Sequence, residues 1–347
     1  MAMLPIITDT AFNRLALIDD YISFIWTPRY QSPGDFELCA PVRYAAILIA
    51  DNFVVRDDDE NIGIIEKVNL SVNEDGKEMI VASGRFLSAI IGRRIVAAQT
   101  AFNNTYPSAI ISTILTENII NPSNSARAIE NFILGDFGTL GTQISKQYTG
   151  TNILTLVTEL CKANKLGFKI TRQSGNLVFD LYQGKDRTYS QNENPFMVFS
   201  DRYDNLLAAD YTENHEKIIN AVLVAGEGEG TSRKTTWANN GSPSGISRRE
   251  YYKDARNVQS NNGAIPLEQY MLQLYGVGKD SLTNYTAAFT GQVDFSGAGY
   301  KENVNLGDLC VIENAKWGLS ISARLLEVIE STGEDGIYTL TPSFGLE

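Results

Sequence analysis

Pro33-Gly34-Asp35-Phe36-Glu37-Leu38, near the start of the chain, and Leu306-Gly307-Asp308-Leu309-Cys310-Val311, near its end, are two Gly-Asp turns that each open an alternating strand. The first is followed by Gly63-Ile64-Ile65-Glu66-Lys67-Val68, the turn Glu74-Asp75-Gly76 and a strand that ends at Gly84. The second is followed by Arg324-Leu325-Leu326-Glu327-Val328, the turn Glu334-Asp335-Gly336 and a strand that ends at Gly345. Glu66 to Gly84 and Glu327 to Gly345 are the same distance, with the turn shifted by one residue, as a bulge allows. The echo predicts a duplicated β-module, and a chain with two like modules completes a ring with fewer copies than the ring has positions. Asp-Gly hairpins after apolar strands are common, so the echo alone leaves coincidence open.

Composition sets the frame. A chain of 347 residues has room for two domains, each with a full core. Hydrophobic content of 43% with 20% charged residues is ordinary for a soluble protein. Lys and Arg number 29 against 41 Asp and Glu, a net charge of −12, and such a surface repels phosphate backbones. Specific nucleic-acid binding is therefore not expected. Cys39, Cys161 and Cys310 are odd in number and lack a repeated spacing, which excludes a disulfide framework and a zinc pattern. They read as buried, reduced thiols of a chain folded in a cytoplasm. Residues 1–17 do not resemble a signal peptide, and the apolar stretch 44–55 is short and cut by Asp51, so no stable membrane insertion is expected.

Along the chain, β-branched and aromatic residues at 15–30, 35–41, 46–56 and 62–84 predict a meander, closed by a short helix at Phe86, Leu87, Ile90 and Ile91. Pro107 starts a helix whose apolar face runs through Ile110, Ile111, Ile114 and Leu115 to a stop at Asn121-Pro122. A second helix is capped by Thr151 or Asn152, carries Ile153, Leu156, Val157, Leu160 and Cys161 on one face, and ends at Gly167. A hairpin follows, with strands 168–172 and 177–182. Strands return from Leu206, and 230–247 has the composition of a loop. Pro266 begins a third helix with Leu267, Tyr270, Met271, Leu274 and Tyr275 on its face and Gly276 at its end. The predicted class is α+β and β-rich. Its domains are 1–100, a mixed α+β insertion at 101–200, and 201–347 with a helical insertion around 257–285.

No catalytic, cofactor-binding or metal site is predicted. His215 is the single histidine, which leaves no partner for a zinc site or a histidine triad. Asp57-Asp58-Asp59-Glu60 lacks the spaced oxygens, glycine and distal Glu of a calcium loop and reads as a solvated hairpin tip. Gly226-Glu227-Gly228-Glu229-Gly230 has the wrong spacing and the wrong charge for a dinucleotide loop. The acceptor-like triplets at Asn69, Asn103 and Asn284 have no secretion signal to give them meaning. No local motif singles out a pair of carboxylates.

Trp26-Thr27-Pro28-Arg29-Tyr30, the Pro33-to-Leu38 turn, Pro41, Gly63-Ile64-Ile65-Glu66, Gly84-Arg85-Phe86-Leu87 and Gly92-Arg93-Arg94 together resemble the start of phage tail baseplate hub proteins of siphophages and prophages. Leu306-Gly307-Asp308, Trp317-Gly318, Arg324-Leu325-Leu326-Glu327 and Phe344-Gly345 are similar to the closing module of such hubs. The resemblance implies two tail-tube-like β-barrel domains per chain and a homotrimer forming a pseudo-sixfold ring that closes the tail tube. It also implies partners: the distal tail protein ring, the tape-measure protein and tip or receptor-binding proteins. Location in the virion, synthesis in the host cytoplasm, no enzymatic role and no cofactor follow from the same likeness. DNA would pass through the lumen without specific binding, kept moving by like charge within a screening length of about 8–10 Å. Two competing readings are a tail-associated cell-wall hydrolase, with its carboxylates in 100–197, and a tail adhesin or carbohydrate-binding protein using the aromatic residues.

Overall fold

The computed structural model describes residues 3–72, 76–295, 299–334 and 336–347. The predicted turn residues Glu74, Asp75 and Asp335 lie outside the described residues. The dominant element is a ten-stranded sheet, of which eight strands follow one antiparallel path: Leu206–Asn214, Thr286–Val293, Tyr338–Leu346, Leu319–Thr332, Ser23–Thr27, Asp35–Pro41, Glu78–Arg85 and Lys67–Val72. Leu309–Asn314 branches from Leu319–Thr332 and carries Val198–Ser200 beside it.

The two predicted barrels are corrected by this topology: among the described residues no sheet closes on itself, and both ends of the chain share one open sheet. The cause is the length of Leu319–Thr332, at 14 residues well beyond an ordinary strand of about 5–6. Its first half pairs with Leu309–Asn314, and from Ala323 onward it pairs with Tyr338–Leu346. At its far end Glu330, Ser331 and Thr332 pair on the other edge with Trp26, Ile25 and Phe24.

The sequence echo does not extend to the pairing. The strand opened by Gly34-Asp35 pairs with Glu78–Arg85, whereas the strand opened by Gly307-Asp308 pairs with Leu319–Thr332. Glu66 sits in a link ahead of Lys67–Val72, while Glu327 lies inside the central strand. The two glutamates are therefore not equivalent.

Alternation builds the core. Phe24, Trp26, Phe36, Leu38, Ile80 and Ala82 point to one face and pack with Ile7, Ile18 and Val54. Ile7, Ile18 and Val54 belong to a small sheet of Ile6–Thr8, Arg14–Leu17, Phe53–Arg56 and Asp59–Ile64, or to its links. Phe289, Leu325, Val328 and Phe344 form the corresponding core at the other end with Phe199 and Ile312. Each such side chain contributes about 1.5–3 kcal/mol.

In the insertion, helix α1 spans Pro107–Leu115 and α2 spans Ile153–Asn164. Asn152 Oδ1 caps α2 by accepting from the Leu154 amide at 3.0 Å and the Thr155 amide at 3.3 Å. The predicted stop at Gly167 is wrong: Lys165, at φ 57°, ends the helix, and Gly167 opens the strand Gly167–Gln173. A Cβ on Gly167 would lie 2.3 Å from the Tyr30 ring, so this glycine serves a close approach. Ile153, Leu156, Val157, Leu160 and Cys161 are buried as their spacing predicts, in a core that also takes Phe53, Ile62, Ile64, Leu87 and Val96 from before residue 100.

Residues assigned to the second barrel instead form a separate α/β unit at the tip of the Leu206–Asn214 and Thr286–Val293 pair. Ala221–Ala225 is its central strand, flanked by Thr235–Asn239 and Glu250–Asp254, and α3, Leu267–Ser281, covers one face. Thr235–Asn239 lies inside the predicted loop 230–247. Its polar sequence reflects a strand with one face in water. Helix α3 runs through Gly276 rather than ending there. A Cβ on Gly278 would lie 2.6 Å from Ala238 Cβ and 2.8 Å from Val224 Cγ2, so the helix needs glycine to lie this close to the sheet. Gly278→Ala is expected to lower stability by about 1–3 kcal/mol in urea unfolding despite its better helix propensity. Unchanged stability would mean that the helix shifts freely away from the sheet.

Candidate assembly interface

The eight-strand path ends in two strands that each have one unpaired side among the described residues. Lys67–Val72 pairs only with Glu78–Arg85, and Leu206–Asn214 pairs only with Thr286–Val293. Register decides which way the residues of the first edge face. Val68 lies opposite Ala82 and Leu70 opposite Ile80, both of which are buried. The row Val68, Leu70 and Val72 thus continues the core face beyond the point where the molecule covers it, and Leu70 and Val72 are 61% and 63% exposed. A free edge with an apolar row is a template for adding another strand. At the opposite edge Tyr211 and Ala209 lie on the core side, half-buried, while Leu207 is exposed.

The other face of the sheet is polar. Thr339, Ser331, Ile25, Glu37, Ser83 and Lys67 follow one another across six strands in direct register. Three of the six are hydroxyls, and Ser331 Oγ and Thr339 Oγ1 lie 2.6 Å apart in a hydrogen bond. Such a surface stays hydrated.

An ion-pair network holds the two ends of the chain together beneath the sheet. Arg56 and Glu330, each with a side chain 1% exposed, pair at 2.9 Å. Arg56 also reaches Asp58 at 2.5 Å, and Lys301 lies 2.5 Å from Asp59 and 3.1 Å from Glu330. Tyr338 Oη donates to Glu330 at 3.0 Å. Burial alone would lower the Arg56 pKa, but Asp58, Glu330 and Asp59 outweigh it and hold the guanidinium firmly charged. At the hairpin tip predicted at Asp57-Asp58-Asp59-Glu60, Asp57, Asp58 and Glu60 are exposed as expected, and Asp59 is the exception. Asp59 is buried against Lys301, and Glu60 pairs with Lys169 at 2.5 Å, partners far away in sequence. The aspartates of the two Gly-Asp turns each take an arginine: Asp35 takes Arg29 at 2.6 Å, and buried Asp308 takes Arg187 at 2.6 Å.

Little of this resembles a reaction centre. His215 is exposed and stacks on Tyr285, 4.9 Å between ring centroids. No group of three or more His, Cys, Asp or Glu that could hold a metal ion occurs among the described residues. In the insertion, burial pushes the Asp180 carboxyl above its ordinary range, opposed by Lys169, which is already paired with Glu60.

Cys39, Cys161 and Cys310 are free and buried. Burial pushes the Cys161 and Cys310 thiols up to about 12. At pH 8 their thiolate fraction is then roughly one part in ten thousand. Native protein is therefore expected to leave both unlabelled by a thiol reagent at pH 8, with all three reacting in denaturant. Rapid native labelling of Cys161 would contradict this burial.

The family model described as Siphovirus ReqiPepy6 Gp37-like protein matches residues 4–346. The chain belongs to this family. The family match bears out the tail-protein resemblance of the two chain ends. No curated protein matches the sequence. Among solved structures, the chain is similar to the tail protein from Neisseria meningitidis MC58, with a TM-score of 0.60 and 13% identity over 100% of this chain and 97% of that one. It is also similar to the 43 kDa tail protein of prophage MuSo2 from Shewanella oneidensis, at TM-score 0.57 and 14% identity, covering 100% of both chains. The prophage tail protein gp18 from Listeria monocytogenes EGD-e gives 0.56 and 12%, over 99% of this chain and 94% of that one. At such identities the likeness is one of fold: the chain has the fold of these tail proteins.

Proposed function

We propose that this protein is a structural baseplate hub, three copies of which join edge to edge into a ring that closes the tail tube of a phage or a tail-derived particle. The observation that carries this reading is the eight-strand path whose two edges have no further strand among the described residues, with an apolar row running past one of them. Lys67–Val72 of one copy pairs with Leu206–Asn214 of the next, and three copies of eight strands give a continuous wall of twenty-four. The contact is head-to-tail and closes by rotation. On the face away from the core, Lys67 at one edge and Asp210 at the other carry opposite charges, which favours this pairing over like edges meeting.

The hydroxyl-rich face lines the lumen in this arrangement. The row from Thr339 to Lys67 would set three hydroxyls, one carboxylate, one ammonium and Ile25 on the wall, and its hydration adds to the expected repulsion in keeping DNA sliding. A distal tail ring above and tip proteins below are the partners, and the protein works as a virion component without catalysis. Mixing the purified chain with its distal tail ring and weighing the complex by native mass spectrometry tests the stoichiometry. Three copies per ring are expected, and six copies or one would overturn the reading.

A further inference from the structure

The α/β unit between Leu206–Asn214 and Thr286–Val293 presents a second surface that the ring does not use. Helix α3 covers the Val222, Val224 and Ala238 face of the three-stranded sheet and itself lies against Ile144–Tyr148. The opposite sheet face therefore points away from the body of the molecule. In its middle row Leu223 lies directly opposite Trp237 on one side and Tyr252 on the other. Trp237 is 40% and Tyr252 51% exposed, which is high for two large rings on one small face. They stand two strand spacings apart, about 10 Å.

Both rings are held in place. The Arg248 guanidinium lies 4.7 Å from the Trp237 ring centroid, and Arg233 Nη1 donates to Tyr252 Oη at 2.7 Å. Each of these arginines is neutralised by a carboxylate of the same face, Arg233 by Asp254 at 2.6 Å and Arg248 by Glu250 at 2.5 Å. The platform thus carries no free cation for an anionic ligand. Apart from Leu223 it offers no aliphatic surface for a partner helix. What remains is two fixed rings at about the length of a disaccharide, rimmed by hydrogen-bonding groups of Thr235, Asn239, Glu250 and Asp254.

We infer that this face binds an extended, uncharged glycan of β-linked pyranose units, whose alternate sugars present the same apolar C–H face to Trp237 and Tyr252 while their hydroxyls meet the polar rim. A hub with such a face would hold envelope polysaccharide beside the ring. The site is independent of the ring edges, and its test runs on the isolated chain in whatever state it assembles, so its failure leaves the assembly reading untouched.

The full chain in a Trp317→Phe background, which leaves Trp237 as the one exposed tryptophan, is titrated with chitohexaose and with cellohexaose while fluorescence is followed. Saturable binding of at least one hexasaccharide is expected, with Tyr252→Ala, and Trp237→Ala read by calorimetry because it lacks the reporter ring, each weakening it by about tenfold as one stacking contact is lost. Binding of the Trp237→Phe protein is read by calorimetry and should stay within about threefold of the parent, since the ring is kept. Absence of binding by both sugars would overturn the proposal, as would affinity unchanged in Trp237→Ala. Loss of a protein contact in Trp237→Ala, seen as a smaller assembly by sedimentation with no sugar response in the parent, would overturn it too.

Discussion

Leu70→Glu should leave the chain folded and weaken its self-association by about a hundredfold or more, because the new carboxylate would be buried against a neighbour with no cation waiting for it. The side chain is 61% exposed in the single chain, so the substitution costs the monomer little. Sedimentation velocity across a concentration series reads the effect, with circular dichroism as the check on folding. The neighbouring Leu70→Val keeps an apolar, β-favouring side chain and should assemble nearly as well as the parent. Equal assembly by Leu70→Glu would place the copy-to-copy contact elsewhere.

Arg56→Met is expected to destabilise the chain itself by about 3–5 kcal/mol, since Glu330 would stay buried with Lys301 and Tyr338 as its remaining partners. Urea unfolding reads this as a lower midpoint at unchanged slope. Adding Glu330→Leu removes the stranded charge and should recover part of the loss, though Asp58 and Asp59 then keep only Lys301 nearby. A loss below about 1 kcal/mol would mean that water reaches the pair, as in a surface ion pair. Because Arg56 precedes residue 100 and Glu330 lies near the C-terminus, this pair also measures how strongly the two ends depend on each other.

Local features were readable from the sequence where one segment carried the whole signal. The spacing of Ile153, Leu156, Val157, Leu160 and Cys161 marked α2, and its cap was narrowed to Thr151 or Asn152, of which Asn152 is used. The hairpin of Gly167–Gln173 and Asn176–Tyr182 was equally plain. Features that depend on partners far along the chain were not. Nothing in Leu319–Thr332 announces that its last three residues pair with Ser23–Thr27, since alternation is satisfied by either one neighbour or two. Asp59 reads as surface until Lys301 is placed beside it. Gly276 looks like a helix end because close packing and termination use the same residue for different reasons. The polar strand Thr235–Asn239 was missed because only one of its faces is covered.

The assembly edges show the same limit. Val68, Leu70 and Val72 alternate like any half-buried strand, and only the register with Ala82 and Ile80 reveals that the face they extend has run out of cover. A reconstruction of the tail tip at side-chain resolution tests the ring most directly. The expected result is three copies of this chain, with Lys67–Val72 of each hydrogen-bonded to Leu206–Asn214 of the next and the row from Thr339 to Lys67 facing the lumen. Six copies, a single axial copy, or three copies whose two edges face solvent would contradict it.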